Sequence, residues 1–364
     1  MKTNLFLQKS ASLFLLCLIC SCSSQKKANE VDLCFPKEKI ISFSKSNLFK
    51  NKKVIPLEFN EEAMIGSYPS LLWNGSFFIY SRSAGGSVLR FDKNGKYLQT
   101  IGKVGNGPEE YIELTDVCLD PSRHSIDILS LNAIYRYTYE GAFVKRIPIE
   151  YPAFSFYGEN DSCYWLYIGT NKSFSDFKLF KISTTSDKEE AYLNTDMDLL
   201  PISENNFHKS GVYTTFHESY NNDVYQIKDG SFIKTHTVSF NEMNLNLSEA
   251  PRDPMDFVTY LKQKHYATIR CYLENKTYVY LQTFESIPDN KKGRFYHWFI
   301  NKKTGKNTVI EQPQDIAPDS YLYAPQLLTE EDLLYFIGYP LDTKDDVVNP
   351  DENPSVVIIN ISQL

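Results

Sequence analysis

Hydrophobic and polar residues alternate along most of the chain in short runs that are separated by polar turns. The stretch VLRFDKNGKYLQTIG at 88–102 shows the pattern clearly, because two alternating runs flank the turn Asp92-Lys93-Asn94-Gly95. Alternation with a period of two is typical of a β-strand with one buried face. Glycine supplies the positive φ that a tight hairpin turn requires. The stretch therefore predicts a β-hairpin.

The hairpin pattern recurs at 134–149, 224–240 and 295–310, and with a looser turn at 178–193. The first two hairpins begin about 46 residues apart, within the period typical of propeller blades. A further pair of strand-like runs precedes each hairpin, so each unit holds four short strands, named a to d from the inside outward. Four-stranded antiparallel units repeated around an axis form a β-propeller. The sequence thus predicts an all-β fold, a six-bladed β-propeller.

The two ends of the propeller region predict how the ring closes. The last run, 356–362, matches a strand c without a strand d after it, and the unassigned run 53–59 precedes the first strand a. We expect the N-terminal strand to pair with the C-terminal blade and close the ring, and Pro56 fits an edge strand there because proline cannot donate to a ladder. Residues 241–265 would form a seventh blade only if they hid a degenerate one. Asp253 and Pro254 instead favour a helical insertion, with Asp253 as N-cap.

Residues 1–22 have the features of a lipoprotein signal peptide. A positive start is followed by a short apolar run that ends in Ile19-Cys20-Ser21-Cys22, and a small residue just before a cysteine resembles the lipobox of bacterial lipoproteins. That resemblance implies cleavage before Cys22 and lipid attachment to its thiol. Cys20 fits less well because bulky Ile19 would precede the cleavage point, and an ordinary secretory signal is the alternative. We expect 23–50 to be a tether and N-terminal segment and 51–364 to be the propeller.

Charge and cysteine usage narrow the functional classes. The net charge is −7 and Lys50, Lys52 and Lys53 form the only notable basic cluster, so nucleic acid is not expected as a partner. The cysteines beyond the signal, at 34, 118, 163 and 271, have wide, irregular spacing that is not a disulfide framework. Cys118 and Cys271 lie in apolar runs and are expected to be buried thiols.

The lipobox, the hairpin at 88–102 and the following GKVGNGPEEY at 102–111 resemble the six-bladed β-propeller lipoproteins of Bacteroidetes. These carry a domain of unknown function and are similar to NHL-repeat propellers. The resemblance implies the fold and a location in the cell envelope. It brings no reaction and no catalytic residue.

The lengths of the connections indicate where a ligand could bind. The a–b and c–d turns are short throughout, whereas the b–c and d–a connections at the opposite face are long, and long irregular connections tend to carry function. The face with the long loops, around the mouth of the central channel, is the predicted binding site. Its candidate residues are Arg82, Glu109, Glu110, Tyr111, Asn171, Tyr220 and Glu285. The alternative is structural: 105–108 routes the chain between blades, and residues 109–111 cap that turn and fill the seam.

Other candidate chemistry is sparse. The histidines are scattered without zinc-site spacing, although His208 and His217 flank one hairpin and could meet. The acidic stretch 341–353 could hold calcium through its oxygen ligands but lacks the EF-hand spacing, and a solvated loop is the competing reading. Aromatic residues on the loop face would suit sugars or peptides, and the examples are Trp73, Tyr157, Tyr220 and Tyr339. Trp73 fits less well, because the turn next to it belongs to the face with the short loops.

The sequence therefore favours a membrane-anchored, non-catalytic binding propeller, with no cofactor and no metal. Its partner would be a glycan, a peptide or another envelope protein, and we expect a monomer that faces the periplasm. The alternative is a metal-assisted hydrolase or lyase that acts on a carbohydrate or lactone at the channel mouth.

Overall fold

Six β-sheets surround a central channel in the computed structural model, which describes residues 31–82, 86–130, 132–170, 172–195, 205–288, 293–312, 321–342, 347–348 and 352–364. The fold is the predicted six-bladed β-propeller with four-stranded antiparallel blades, and no seventh blade interrupts the order of the sheets. Strand a of each blade lies at the channel, and strand d lies at the rim.

The strand bounds follow the hairpins expected from the sequence. In the order a to d, the strands are, for blade 1, Ser70–Trp73, Phe77–Tyr80, Val88–Phe91 and Tyr97–Ile101; for blade 2, Asp116–Asp120, Ser125–Ser130, Ala133–Thr138 and Phe143–Pro148; for blade 3, Ser155–Gly158, Cys163–Tyr167, Phe177–Ser183 and Glu189–Asn194. They are, for blade 4, Phe207–Ser210, Tyr213–His217, Asp223–Lys228 and Ser231–Ser239; for blade 5, Tyr266–Glu274, Tyr278–Ser286, Arg294–Asn301 and Asn307–Glu311; for blade 6, Tyr321–Leu328, Leu333–Asp342, Ser355–Asn360 and Lys53–Pro56. The two-residue strand Val347–Val348 pairs with the second strand of blade 6.

The ring closes through the N-terminal strand, as expected. Lys53–Pro56 is antiparallel to Ser355–Asn360, with Pro56 opposite Ser355 at the outer edge of blade 6. The predicted blade-1 hairpin supports this closure, since the backbone N–H of Glu58 donates to the carbonyl of Gly95 at 2.8 Å. Closure joins the two chain ends and removes one open sheet edge.

Residues 31–50, which the sequence grouped with the tether, lie along the outer rim and are named the rim segment here. Val31–Cys34 pairs in parallel with strand d of blade 4, and Ile40–Ser42 pairs in parallel with strand d of blade 5. A 3₁₀ turn, Lys37–Lys39, and the short helix α1, Phe43–Ser46, connect these strands to the closing strand. Phe35 and Phe49 are buried among the side chains of blades 4 to 6, so the rim segment belongs to the folded body.

The core is divided among the seams between neighbouring blades. Six clusters of buried hydrophobic residues fill the six seams. Aromatic rings dominate them: Trp165 and Trp298, for example, are 0 % and 1 % exposed. Most of the Tyr and Phe residues pack in these seams. The side chains of the inner strands, the strands a, line the channel.

The insertion between blades 4 and 5 forms a helix, as its capping residues predict. Helix α2, Pro254–Gln263, follows two 3₁₀ turns, Asn241–Met243 and Leu247–Glu249. The Asp253 side chain accepts from the N–H groups of residues 255 and 256. Phe257 and Leu261 are buried, whereas Val258 is exposed. Among the helices of the described ranges, none has the length and apolar character needed to cross a membrane.

Candidate ligand-binding channel

A cavity of about 410 Å³ lies in the central channel between the inner strands. All six blades contribute to its wall, because each strand a presents side chains to the axis. The apolar part of the lining includes Trp73, Val117, Phe156, Tyr157, Phe207 and Leu327. Pockets of about 300–1,000 Å³ that combine apolar walls with a few polar groups are typical of small-molecule sites. The channel is thus the candidate site.

The cavity extends to the face of the short a–b turns. Pro121, Gly211 and Glu331, which belong to these turns in blades 2, 4 and 6, are part of its lining. The sequence placed the site at the opposite face, where the b–c and d–a connections are long. The two ends of the channel differ because one of them is crossed by side chains.

The crossing group, named the Arg82 cluster, consists of Arg82, Asp116, Asn205 and Ser70. Nη2 of Arg82 donates to Asp116 Oδ1 at 3.0 Å and to Asn205 Oδ1 at 2.6 Å. The Asn205 amide in turn donates to Ser70 Oγ at 3.2 Å. Since Arg82 and Ser70 belong to blade 1 and Asn205 precedes blade 4, these bonds span the ring. Among the described residues, these side chains thus cross the channel at its long-loop end.

Asp116 is the anchor of the Arg82 cluster. Its Oδ1 also accepts from the Tyr80 hydroxyl at 2.8 Å, and its Oδ2 accepts from the Phe156 N–H at 3.0 Å. Burial, and then the charge of Asp116, raise the pKa of Tyr80, so the phenol remains a protonated donor. Blades 1, 2 and 3 are therefore tied to one carboxylate.

Charged side chains surround the open end of the cavity. Glu274 Oε1 accepts from Lys302 Nζ at 2.7 Å and Oε2 accepts from the Tyr272 hydroxyl at 3.0 Å. Lys209 is exposed, and its ammonium lies 5.8 Å from the centroid of the Tyr157 ring. A ligand in the cavity would thus meet an aromatic wall and a polar rim.

His208 and His217 meet, one of the two outcomes that the sequence left open. Their rings are stacked with centroids 5.8 Å apart, and His208 lines the cavity. Burial lowers the pKa of His208 to about 4. Burial, followed by the charges of His208 and Arg270, lowers the pKa of His217 to about 3. Both imidazoles are therefore neutral at pH 7.

The predicted candidates around 109–111 are engaged in the turn and the seam. Glu110 accepts from the Gly107 N–H at 3.0 Å and pairs with Lys103 at 2.8 Å, and the hydrogen bond from Lys103 lowers the pKa of Glu110. Tyr111 is fully buried between blades 1 and 2. Glu109 is exposed, and its carbonyl accepts from the Tyr137 hydroxyl at 2.5 Å. These contacts match the structural alternative.

Tyr220 and Glu285 lie near the insertion, apart from the cavity lining. Tyr220 packs edge-on against Phe257 of helix α2 at 5.7 Å. Glu285 accepts from the Tyr296 hydroxyl at 2.6 Å and lies 2.8 Å from His265 Nε2. Although burial raises it, hydrogen bonds from Tyr296 and His265 lower the pKa of Glu285 below its usual value. Among the predicted candidates that lie in the described ranges, Arg82 alone contacts the channel lining, through Asp116 and Asn205.

Several predictions fall partly or wholly outside the described residues. Cys22 and Asn171 lie outside them, as do most acidic residues of the proposed calcium loop at 341–353. Within the described ranges, no three His, Cys, Asp or Glu side chains come together as a metal site. The four described cysteines are free, and burial raises the pKa of Cys118 and of Cys271 to about 12.

Trp73 and Tyr157, two of the aromatic residues singled out in the sequence, line the cavity. The sequence analysis gave Trp73 less weight as a ligand-binding residue, because the turn next to it is short. It did not select Lys209, Glu274 or Arg270, which lie on inner strands. Membership of a strand a was the available signal, since that strand alone reaches the axis of a propeller.

Comparisons with known proteins identify similar folds and the family of the chain. In a comparison with solved structures, the chain is similar to a protein of Bacteroides fragilis inferred to be exported, with 14 % identity, a TM-score of 0.68 and coverage of 90 % of this chain and 99 % of that chain. It is also similar to a member of the DUF4221 family from Bacteroides vulgatus, with 12 % identity and a TM-score of 0.54. That match covers 85 % of this chain and 96 % of the other chain. At these identities the likeness concerns the fold. No curated protein sequence matches the chain. The model of a domain of unknown function, DUF4934, matches residues 29–360, and the chain therefore belongs to the DUF4934 family.

Proposed function

We propose that the protein is a non-catalytic binding propeller of the bacterial cell envelope that holds a small glycan or peptide in its central channel. The cavity of about 410 Å³ between the inner strands is the observation that carries this proposal. A rigid ring supports its wall, so a ligand would bind without a large rearrangement of the blades.

The composition of the wall supports a sugar or a peptide as the ligand. Trp73, Phe156 and Tyr157 offer ring faces for stacking. Lys209 and Glu331 at the open end offer polar contacts to hydroxyl or amide groups. An aromatic face combined with a few oriented polar groups is the usual composition of such sites.

The paired state of the channel carboxylates favours binding over hydrolysis. Glycoside hydrolysis requires two carboxyl groups that face the scissile bond, one as acid and one as base or nucleophile. In this channel Asp116 is bonded to Arg82, and Glu274 is bonded to Lys302. These two carboxylates, which lie on inner strands, thus already have cationic partners.

The envelope location is part of the same proposal. The lipobox at Cys22 supports lipid attachment, and the exported Bacteroides fragilis protein of similar fold supports export. We propose a periplasm-facing monomer anchored by its lipid. In that setting the open end of the channel would meet envelope glycans or peptides.

Tryptophan fluorescence tests the binding site directly, because only one of the three tryptophans lines the cavity. Trp165 and Trp298 are buried in the seams and provide a constant background. Titration with neutral oligosaccharides and with peptide pools should give a saturable change in emission in the wild type. Trp73→Phe should abolish the change, and Tyr157→Ala should weaken binding about two- to tenfold if stacking contributes its usual 0.5–1.5 kcal/mol.

Two results would contradict the proposal. A saturable response that persists unchanged in Trp73→Phe would place the ligand elsewhere, and the absence of any response across the pools would remove the binding role. Release of shortened oligosaccharides or of hydrolysed lactone during the titration would instead support the alternative hydrolase or lyase.

A further inference from the structure

Strand a of blade 5 carries one side chain that its packing does not bury. Eight of the nine residues of Tyr266–Glu274 are buried, and Arg270 is the exposed one. Ile269 packs in the seam with blade 4, and Cys271 packs in the seam with blade 6. The remaining direction open to an inner strand is the channel, so the Arg270 guanidinium projects towards the axis.

A β-bulge sets this direction. The pairing with strand b passes from Ile269 opposite Thr283 to Cys271 opposite Gln282, which leaves Arg270 without a partner in the ladder. A bulge bends a strand and redirects one side chain. It also explains why Ile269 and Cys271, two positions apart, enter opposite seams.

Blade 6 uses the same device at its inner strand. The register there shifts between Pro325 and Leu327, so that Gln326 is the bulged residue. Gln326 lines the cavity, and its Oε1 accepts from the Leu71 N–H at 2.9 Å. Two adjacent blades therefore direct a polar side chain into the channel. Arg270 lies deeper in the channel than Gln326, because its strand continues for four residues after it, to Glu274, whereas the strand of Gln326 ends at Leu328.

Among the described residues Arg270 has no ion-pair partner, in contrast to the channel carboxylates Asp116 and Glu274. Asp116 is matched by Arg82, and Glu274 is matched by Lys302. The neighbours of Arg270 include His217, whose pKa its charge helps to lower, and this imidazole is neutral at pH 7. Within the described structure, Nδ1 of His217 is buried without a hydrogen-bond partner.

We infer that Arg270, together with the stacked His208 and His217, forms a subsite for a carboxylate group of the channel ligand. An arginine fork binds a carboxylate through two parallel hydrogen bonds, and a neutral imidazole can add an N–H donor. The low-dielectric walls of a cleft focus the field of a charge that lies between them. His208 lines the cavity, so the subsite adjoins the aromatic wall.

This inference rests on the proposed binding role and adds the charge of the ligand to it. Carboxylates of two sources fit the chemistry: a uronic acid of a glycan, and the free carboxylate of a peptide. Glucuronate and glucose form a matched pair that differs at the carboxylate, and N-acetylglutamate represents the peptide source.

Affinities for glucuronate, glucose and N-acetylglutamate should be measured by calorimetry with the mature protein and its variants. We expect the wild type to bind one of the two acids, and Arg270→Gln to weaken that binding about tenfold or more, the usual loss of a charge-assisted hydrogen bond. Arg270→Lys should retain part of the affinity, because it keeps the charge and loses the fork. Arg252→Gln, which removes an exposed arginine of the insertion, is the matched control and should leave affinity unchanged. The acid that binds identifies the source.

The outcomes separate this inference from the proposed function. Equal affinity for an acid in the wild type and Arg270→Gln, or no affinity for either acid, would overturn the subsite. Neutral oligosaccharides could still alter Trp73 emission in that case, and the proposed function would stand. Acid binding that depends on Arg270 while no ligand alters Trp73 emission would support the subsite and contradict the proposed cavity. Superimposable unfolding curves for Arg270→Gln and Arg252→Gln would show that the fold is intact.

Discussion

Gly95 links the blade-1 hairpin to the strand that closes the ring, and its replacement tests that closure. Gly95 has a φ of +87°. A Cβ atom added there would lie 2.0 Å from the backbone carbonyl oxygen of Pro56, a distance that no side-chain adjustment can relieve. Gly305 occupies the corresponding c–d turn of blade 5 with a φ of +68°, and an added Cβ would meet nothing within 4 Å. The two glycines therefore separate the cost of backbone conformation from the cost of displacing the closing strand.

The expected magnitudes follow from these contacts. Alanine in a left-handed conformation costs about 1–2 kcal/mol, and this is the whole effect expected for Gly305→Ala. Gly95→Ala must also move the strand Lys53–Pro56, which weakens the bond from Glu58 N–H to Gly95 O and the ladder with Ser355–Asn360. With about 1 kcal/mol for each hydrogen bond affected, Gly95→Ala should destabilise the protein by about 3–4 kcal/mol.

Urea unfolding of both variants, followed by circular dichroism, measures the difference. The midpoint should fall for both and should fall further for Gly95→Ala, with slopes equal to that of the wild type. Equal losses of unfolding free energy in the two variants would refute the reasoning, because the contact with Pro56 would then contribute nothing to closure.

Two further predictions concern pH and the anchor. Burial lowers the pKa of His208 to about 4 and of His217 to about 3 from an ordinary 6.5. On acidification these histidines therefore bind protons in the unfolded chain at a higher pH than in the folded protein. The free energy of unfolding should therefore fall as the pH is lowered from 6.5 to 4. His217→Gln should remove about half of the contribution of these two histidines, which is measured as the difference between the pH profiles of the variant and the wild type. Identical profiles would contradict the assignment of both imidazoles as buried and neutral. Cys22→Ser should abolish incorporation of radiolabelled fatty acid and release the protein from the membrane fraction, and retained label would show that another residue carries the lipid.

The blades could be predicted because their signals are local. Alternation over a few residues specifies a strand with one packed face, and a turn such as 92–95 specifies the hairpin. The same local chemistry placed helix α2, since Asp253 and Pro254 act on the next turn of backbone. The rim segment was missed because Val31–Cys34 and Ile40–Ser42 are parallel to strands that lie far away in sequence, with no hairpin turn to indicate their partners.

The lining of the candidate channel could not be predicted in the same way, because it depends on contacts between distant blades. Loop length favoured the end of the channel that Arg82 and Asn205, which are 123 positions apart, cross with a hydrogen bond. Trp73 lines the cavity from the last position of a strand a, next to a short turn that loop length did not favour. Arg270 resembles any polar residue in an alternating run until the bulge redirects it.

The amino-acid sequence by itself determined the strand periodicity, the turns, the number of blades and the closure of the ring, because these follow from backbone preferences over neighbouring residues and from counting repeats. The tertiary structure alone decided which end of the channel is crossed, which aromatic rings fill seams and which face the cavity, and which channel side chains form ion pairs. Those properties arise where six inner strands converge on one axis, and side chains from different blades meet there at distances that spacing along the chain does not encode.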